Sequence, residues 1–461
     1  MKITLAQIKY KYANFNFNYE NIISNFDNNA DLTIYPEIEI NSAMSFDSNY
    51  QSAKKNFYER LCKNFSDKTV LIGNKLIKNG KLHDLKNGYF DLQGNKIYVS
   101  DEYKDNVDCD LYILAKNRYY TMNSDFIENI VTNKNFICAN AIMLEDENVY
   151  AGQSFAKNNN NELIAELPIL DEKIVNIDFS EKTTPANLQT EEEVFKITTF
   201  AIKEYCENTG FKKVILGLSG GIDSALTAVL AKEAIGAENV YTIMLPSKYS
   251  SEGSIKDSEK LVKNTGINVS TIPITPLFDC FMEKNEHKTD LAEENLQSRL
   301  RGVILMFTSN RENCLLLSTG NKSEVACGYG TLYGDMCGGL NVIADLTKTN
   351  VYKLSNWINR NGEVIPKEII EKAPSAELRP NQKDQDSLPE YEILDKIIED
   401  YIEKQLPYEE LISTYDKNIV DKTIKLIYRA QFKRNQACLG IRLTENAFCA
   451  SIKLPIIQAV Y

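Results

Sequence analysis

The chain has 461 residues, enough for two domains of ordinary size. It carries 64 acidic against 52 basic side chains, a net charge of −12 with both signs dispersed, and this excludes the basic face that general nucleic-acid binding needs. No apolar run approaches membrane-spanning length, and Met1-Lys2-Ile3-Thr4-Leu5-Ala6-Gln7 turns polar too early for a secretory signal, so a cytoplasmic protein with no membrane partner is expected. Ten cysteines without a Cys-x-x-Cys pair read as reduced thiols.

The chain opens with an alternating strand pattern over 2–8, then a helix pattern over 19–28. Asp31-Leu32-Thr33-Ile34-Tyr35-Pro36-Glu37 reads as a buried strand stopped by Pro36. Further strands are expected at 69–73, 96–100, 111–114, 136–141 and 174–177, with helices at 53–65 and 124–133. Four asparagines, 158–161, make a solvated hairpin tip. The alternation describes an α/β domain over 1–180, followed by a second domain over 181–461.

A polar connector over 180–189 leads to Thr190-Glu191-Glu192-Glu193, a capping box that starts a helix to about 208. From there βα units repeat. Strands are expected at 214–216, 239–245, 268–274 and 314–318, and helices at 225–231, 252–264 and 291–309. Helical patterns at 389–401 and 407–433 close the chain before an irregular tail. Such a pattern predicts a mostly parallel sheet, with a ligand beyond the carboxyl ends of its strands. The loops after Leu216, Leu245 and Ser318 then share one crevice.

The first of those loops is Gly217-Leu218-Ser219-Gly220-Gly221-Ile222-Asp223-Ser224. Unpaired amides at a helix start, with the positive end of the helix dipole, make a seat for phosphate. No Lys-Ser/Thr follows the glycines, so it is not a Walker A loop. A carboxylate beside phosphates needs a cation between them, and Asp223 therefore calls for Mg²⁺. Polar clusters recur at 246–251, 318–324 and 328–335, and Glu324 is the natural second metal carboxylate. Each cluster alone is equally a turn or a helix cap; together at strand ends they describe a nucleotide site with a metal. The two histidines, His83 and His287, lie in polar stretches with no visible partner and read as surface residues.

Ser219-Gly220-Gly221-Ile222-Asp223-Ser224 resembles the fingerprint of ATP pyrophosphatases, which cleave between the α and β phosphates. GMP synthetase, argininosuccinate and asparagine synthetases and tRNA thiolation enzymes share it. The stretches at 294–299, 318–324, 333–336, 345–349, 373–380 and 433–437 narrow the resemblance to NAD⁺ synthetase over about 190–456. This resemblance implies that ATP and deamido-NAD⁺ react through an adenylate that ammonia converts to NAD⁺, with AMP and pyrophosphate released. It implies Gly217, Leu218, Ser219, Gly220, Gly221, Ile222, Asp223, Ser224, Thr319 and Lys348 as ATP contacts, and Asp223 and Glu324 as Mg²⁺ ligands. It further implies Asn295, Arg299, Glu324, Asp335 and Lys433 at deamido-NAD⁺, Asp223 and Lys433 at the chemistry, and a homodimer or higher homo-oligomer.

The first segment resembles the nitrilase-like glutaminase domain fused to glutamine-dependent NAD⁺ synthetases, on Ile3-Thr4-Leu5-Ala6-Gln7, on 31–37 and on Tyr150-Ala151-Gly152-Gln153-Ser154-Phe155. The expected fold class is thus a shortened nitrilase-like α/β domain followed by a parallel-sheet ATP pyrophosphatase domain. That family works with a Glu-Lys-Cys triad. Glu37 matches the Glu, but Ser100 stands at the Cys position and the stretch for the Lys is missing before Tyr89, Lys81 being a poor substitute. A degenerate glutaminase is expected, with ammonia coming from elsewhere. Three readings stay open beside it: a glutamine-dependent synthetase with a rearranged site, a non-catalytic nucleotide-binding protein, and another adenylating or tRNA-modifying enzyme, the last weighed against by the acidic charge.

Overall fold

The computed structural model describes residues 1–38, 46–184 and 188–457. Two compact units emerge, Met1–Gln189 and Thr190–Tyr461, with the division at 189/190 where the sequence suggests 180/181.

The first unit pairs two six-stranded sheets. One runs Lys173–Ile177, Ile3–Gln7, Leu32–Tyr35, Thr69–Ile72, Lys75–Lys78, Lys81–Asp84; the other runs Leu163–Glu166, Phe155–Lys157, Asn135–Cys138, Leu111–Leu114, Asn95–Ser100, Gly88–Leu92. Leu5, Ile34 and Leu71 of the first meet Ile97, Ile113 and Ile137 of the second in a shared core. The helices Phe15–Ser24 and Ser48–Asn64 bury Phe15, Ile22, Phe57 and Leu61 against the outer face of the first sheet. Strands covered on both faces are apolar throughout, which is why the central ones are visible as runs in the sequence.

Departures from expectation have local causes. The first helix starts at Phe15 because the Asn14 side chain accepts from Phe17 N–H. The helix expected at 124–133 shrinks to Phe126–Asn129, and the strand at 136–141 ends at Cys138. No strand is expected at Lys75–Lys78 or Lys81–Asp84, yet they form a hairpin over Asn79-Gly80, with φ of 51° and 67°. Asn-Gly between two strands is the strongest short hairpin signal and marks this turn. The tip at 158–161 does join two antiparallel strands.

In the second unit four parallel strands stand in the order Asn268–Thr271, Val240–Met244, Val214–Gly217, Leu315–Leu316. Chain order therefore reverses direction between Val214–Gly217 and Leu315–Leu316, which opens a crevice at their carboxyl ends. The helix Ile222–Ile235 buries every residue from Ala225 to Ala231, since it is apolar on all sides. The tail helices are shorter than expected: Tyr391–Ile398, Tyr408–Thr414, Lys417–Arg429 and Gln431–Arg434, with a π-helical turn at Glu399–Glu403. No helix among the described residues is long and apolar enough to cross a membrane. No disulfide is recorded among the described cysteines.

Candidate active site

The glycine loop leaves its strand at Gly217 and enters its helix at Ile222, with Gly221 as the residue before the first turn. Glycine caps no amide with a side chain, so the first-turn N–H groups keep their capacity for an anion. Gly220 has φ +77°, and a Cβ there would lie 2.4 Å from the Ser254 carbonyl oxygen. Only glycine lets the loop pass this close to the neighbouring helix. The two serines brace the loop from within. The Ser219 and Ser224 hydroxyls are 3.0 Å apart, Gly221 N–H donates to Ser219 Oγ at 3.2 Å, and Ser224 Oγ donates to the Gly221 carbonyl at 3.0 Å. In this arrangement their first task is the loop's shape.

Asp223, on the first turn of that helix, lies between two donors. Asn321 Nδ2 donates to Oδ1 at 2.9 Å and Lys348 Nζ to Oδ2 at 2.5 Å. The Lys348 ammonium also lies 3.6 Å from Glu324 Oε1. Asn321 and Glu324 form a capping box on the short helix Lys322–Cys327, so one motif aims both side chains. Burial, followed by the Asp223 carboxylate, pushes Glu324 up to about 8. Burial alone would lower Lys348, but Asp223 and Glu324 outweigh it and hold Lys348 above the usual lysine range.

Behind this array the short helix is anchored twice. Ser323 donates to Asp395, accepts from Lys348 N–H at 2.9 Å, and Asp395 in turn accepts from Thr349 N–H at 2.8 Å. Lys322, 1% exposed, donates to Glu403 and to Thr444 Oγ1 at 2.8 Å, and forms an ion pair with Asp345, its ammonium 2.7 Å from Oδ1. The π-helical turn delivers Glu403 to this cluster.

Strand-end loops and the long helix Leu291–Glu312 enclose a cavity of about 440 Å³ in front of the glycine loop. Thr319, Glu324, Lys348, Asn295, Asp335 and Lys433 all line it. Asp335 accepts from Ser298 Oγ at 2.6 Å and Thr331 N–H at 2.9 Å, and Asn295 Oδ1 accepts from Thr331 Oγ1 at 2.7 Å. Lys433 Nζ donates to the carbonyls of Gly328 and Gly330 at 2.8 and 2.7 Å. Burial lowers its pKa, Arg299 adds to that, and Asp335 opposes it.

Arg299 is the exception among the expected residues. It lies exposed outside the cavity lining, with Nε on the Leu332 carbonyl at 3.2 Å. Asn295, Ser298, Arg301 and Gly302 follow the inner face of the helix, and position 299 falls about 100° from 298. Arg301, which no motif marks in the sequence, is the arginine that lines the cavity; its Nε donates to the Leu245 carbonyl at 3.0 Å and burial lowers its pKa to about 10. No motif marks Asp384 either. Each has a weak sequence signal, a helical i, i+3 spacing for Arg301 and one of two acids in a polar run for Asp384. His287 does find a partner, Glu293, 3.5 Å away.

In the first unit Glu37 follows the strand Leu32–Tyr35 and packs on Gly73, where a Cβ would lie 2.8 Å from Glu37 Cα. Ser100, at the end of Asn95–Ser100, is fully buried. Its hydroxyl lies within reach of Asn87 Oδ1 at 2.7 Å and the Glu102 carbonyl at 2.8 Å, and accepts from Glu102 N–H at 3.3 Å. Lys81 sits exposed on the edge strand, paired in register with Lys78.

A parallel sheet with a glycine loop at its switch point, and with two carboxylates and a lysine facing that loop, defines the second unit as an ATP pyrophosphatase-type α/β domain. The NAD synthase family profile matches residues 194–437, and the chain belongs to that family. It is 42% identical over 339 residues to a glutamine-dependent NAD(+) synthetase of Synechocystis, covering 70% of this chain and 61% of the relative. A Thermotoga maritima protein of the same name is 46% identical over 274 residues, 58% of this chain and 48% of the relative. The chain thus spans about half to three-fifths of the length of these curated relatives. The structure of an Acinetobacter baumannii glutamine-dependent NAD⁺ synthetase, solved with ADP, superposes with a TM-score of 0.72 at 29% identity, covering 99% of this chain and 98% of that one. The fold class is the one expected, a nitrilase-like α/β unit followed by a parallel-sheet unit.

Proposed function

We propose that the chain converts deamido-NAD⁺ to NAD⁺ by ATP-dependent amidation. The observation that carries this is the convergence of Asp223, Glu324 and Lys348 on the glycine loop. The nicotinate carboxylate attacks the α-phosphate, pyrophosphate leaves, and ammonia displaces AMP from the adenylate. The loop amides and Lys348 receive the pyrophosphate, which is positioning and electrostatics rather than covalent chemistry. Thr319 contacts ATP. Lys433, already fixed by two carbonyls, offsets the nicotinate carboxylate, and Asn295 and Asp335 meet deamido-NAD⁺ along the cavity wall.

The carboxylate pair also fits Mg²⁺. Lys348 is 2.5 Å from Asp223 and 3.6 Å from Glu324, so one ammonium faces two carboxylates, and Mg²⁺ is held by one or two carboxylates together with substrate phosphates. Asp223 and Glu324 would hold the ion, which when bound neutralises charge developing on the leaving pyrophosphate. Synthesis from ATP with free thiols fits a cytoplasmic place.

The nitrogen source has two readings. The buried Ser100, engaged by Asn87 and Glu102, favours ammonia made elsewhere. The names of the relatives, all glutamine-dependent, favour the chain's own first unit. One reaction tests both. The purified chain with ATP, deamido-NAD⁺, Mg²⁺ and ammonium chloride is expected to give NAD⁺, AMP and pyrophosphate in equal amounts. With amide-¹⁵N glutamine in place of ammonium, no label is expected in NAD⁺. ADP in place of AMP would sink the synthetase reading, and labelled NAD⁺ with matching glutamate would sink the degenerate glutaminase.

We also propose a homodimer through the outer face of Leu291–Glu312. Val303, Met306 and Phe307 are 62, 39 and 55% exposed there, four, seven and eight positions beyond Arg299 and so on the same stripe. Arg299 then meets deamido-NAD⁺ at the protomer boundary. Sedimentation at micromolar concentration is expected to show a dimer that Phe307→Glu converts to a monomer; a monomer before substitution, or an unaltered dimer after it, removes this surface.

A further inference from the structure

The roles above leave Asp384 unused. It sits on the short turn Asp384–Asp386 in the polar stretch 381–386, yet it is only 4% exposed. Oδ2 accepts from the Tyr391 hydroxyl at 2.8 Å. Oδ1 has no hydrogen-bond partner among the described residues. A folded chain rarely leaves a buried carboxylate oxygen without a donor, because the lost hydration is not recovered. Asp384 also lines the cavity, together with Glu324, Tyr329 and Lys348. The missing donor is therefore to be sought on a ligand.

Among the groups that react the choice narrows. ATP phosphates and the nicotinate carboxylate are anionic acceptors, and a carboxylate repels them. Ammonia brings N–H groups. Position agrees with this. The Tyr329 phenol acts on the Asp384 carboxyl, and Tyr329 is flanked by Gly328 and Gly330, whose carbonyls hold Lys433. Lys348 and Asp223 act on the Asp384 carboxyl as well, so Asp384 stands between the glycine loop and Lys433, where the carboxylate to be amidated meets ATP. The bond from Tyr391 fixes Oδ2 and so the aim of Oδ1.

We propose that Asp384 receives the nitrogen nucleophile, binding ammonia through Oδ1 and taking the proton that nitrogen sheds as the amide forms. The inference rests on the synthetase reading. The nitrogen lone pair forms the C–N bond to the adenylated carbonyl. The bond from that carbon to the AMP oxygen breaks, AMP leaves with the electron pair, and one N–H proton passes to the Asp384 carboxylate.

Two half-reactions test this. Deamido-NAD⁺-dependent exchange of labelled pyrophosphate into ATP reports adenylation alone, and NAD⁺ formation titrated with ammonium chloride reports the amide step. Asp384→Asn keeps the shape but cannot take the proton. It is expected to hold exchange within about threefold and to lower NAD⁺ formation at saturating ammonium about 10²-fold, the usual worth of a positioned proton acceptor. Tyr391→Phe, which removes only the bond to Oδ2, is expected to slow amide formation about five- to tenfold and to leave exchange intact. Equal losses in both assays, or a raised KM for ATP, would place Asp384 on the ATP side and overturn the proposal, as would unchanged amide formation. Asp384→Ser gives the same comparison should the asparagine variant not fold. A chain without substitutions that shows neither exchange nor NAD⁺ would instead overturn the synthetase reading.

Discussion

Asp223→Ala is expected to lower ATP-dependent NAD⁺ formation about 10³-fold, as the loss of a charged group acting on the leaving phosphates should. The carboxylate does two things at once. It holds Lys348 at 2.5 Å, aiming the ammonium at the glycine loop, and with Glu324 it makes the pair proposed to hold Mg²⁺. Without it Lys348 swings toward Glu324, the remaining anion 3.6 Å away, and the loop loses its facing cation. Asp223→Asn separates the two contributions. The amide still accepts from Lys348 but carries no charge, so activity should fall between the alanine variant and the unaltered chain. The measurement is kcat/KM for ATP at saturating ammonium, beside a melting curve that shows the fold intact. A loss below about tenfold for alanine would remove Asp223 from the chemistry.

Lys322→Met is expected to destabilise the second unit by about 3–5 kcal/mol, the range for removing one partner of a buried ion pair. Lys322 is 1% exposed and faces Asp345, itself 1% exposed, with Glu403 on its other side. Burial would lower the lysine's pKa, but the two carboxylates outweigh it and hold it charged. Methionine fills the stem's volume and leaves two carboxylates facing each other. Asp345 Oδ2 keeps Leu443 N–H at 2.8 Å and Thr444 N–H at 2.7 Å, and Glu403 keeps Asn446 N–H at 3.1 Å, so these bonds must carry the excess charge. The effect should also reach the active site, because Asn321 and Glu324 stand on the helix that Lys322 anchors. Thermal unfolding should show a midpoint lower by about 10 °C. A shift under about 2 °C would mean that the cluster is hydrated and contributes little.

What depends on neighbours along the chain is legible in the residues alone. Val214–Gly217, the glycine loop and the helix Ile222–Ile235 are legible because a buried strand, a glycine pair and an apolar helix each leave a local pattern. The capping box at Asn321 and Glu324 is a four-residue motif and equally local. Asn79-Gly80, both residues with positive φ, is a turn signal of the same local kind, whereas Gln93-Gly94 adopts positive φ without the Asn or Asp that would announce it. Tertiary structure alone decided the rest. Lys348 meets Asp223 across 125 positions, and Lys322 meets Glu403 across 81, distances over which sequence pattern carries no information about proximity. Arg299 and Arg301 look alike in the sequence, and only the packing of one helix face sends the second into the cavity and the first outward. Asp384, in the polar run 381–386, becomes a buried carboxylate because Tyr391 and the cavity wall close over it. Burial, which sets charge, reach and reactivity, is a property of the assembled unit and not of any segment within it.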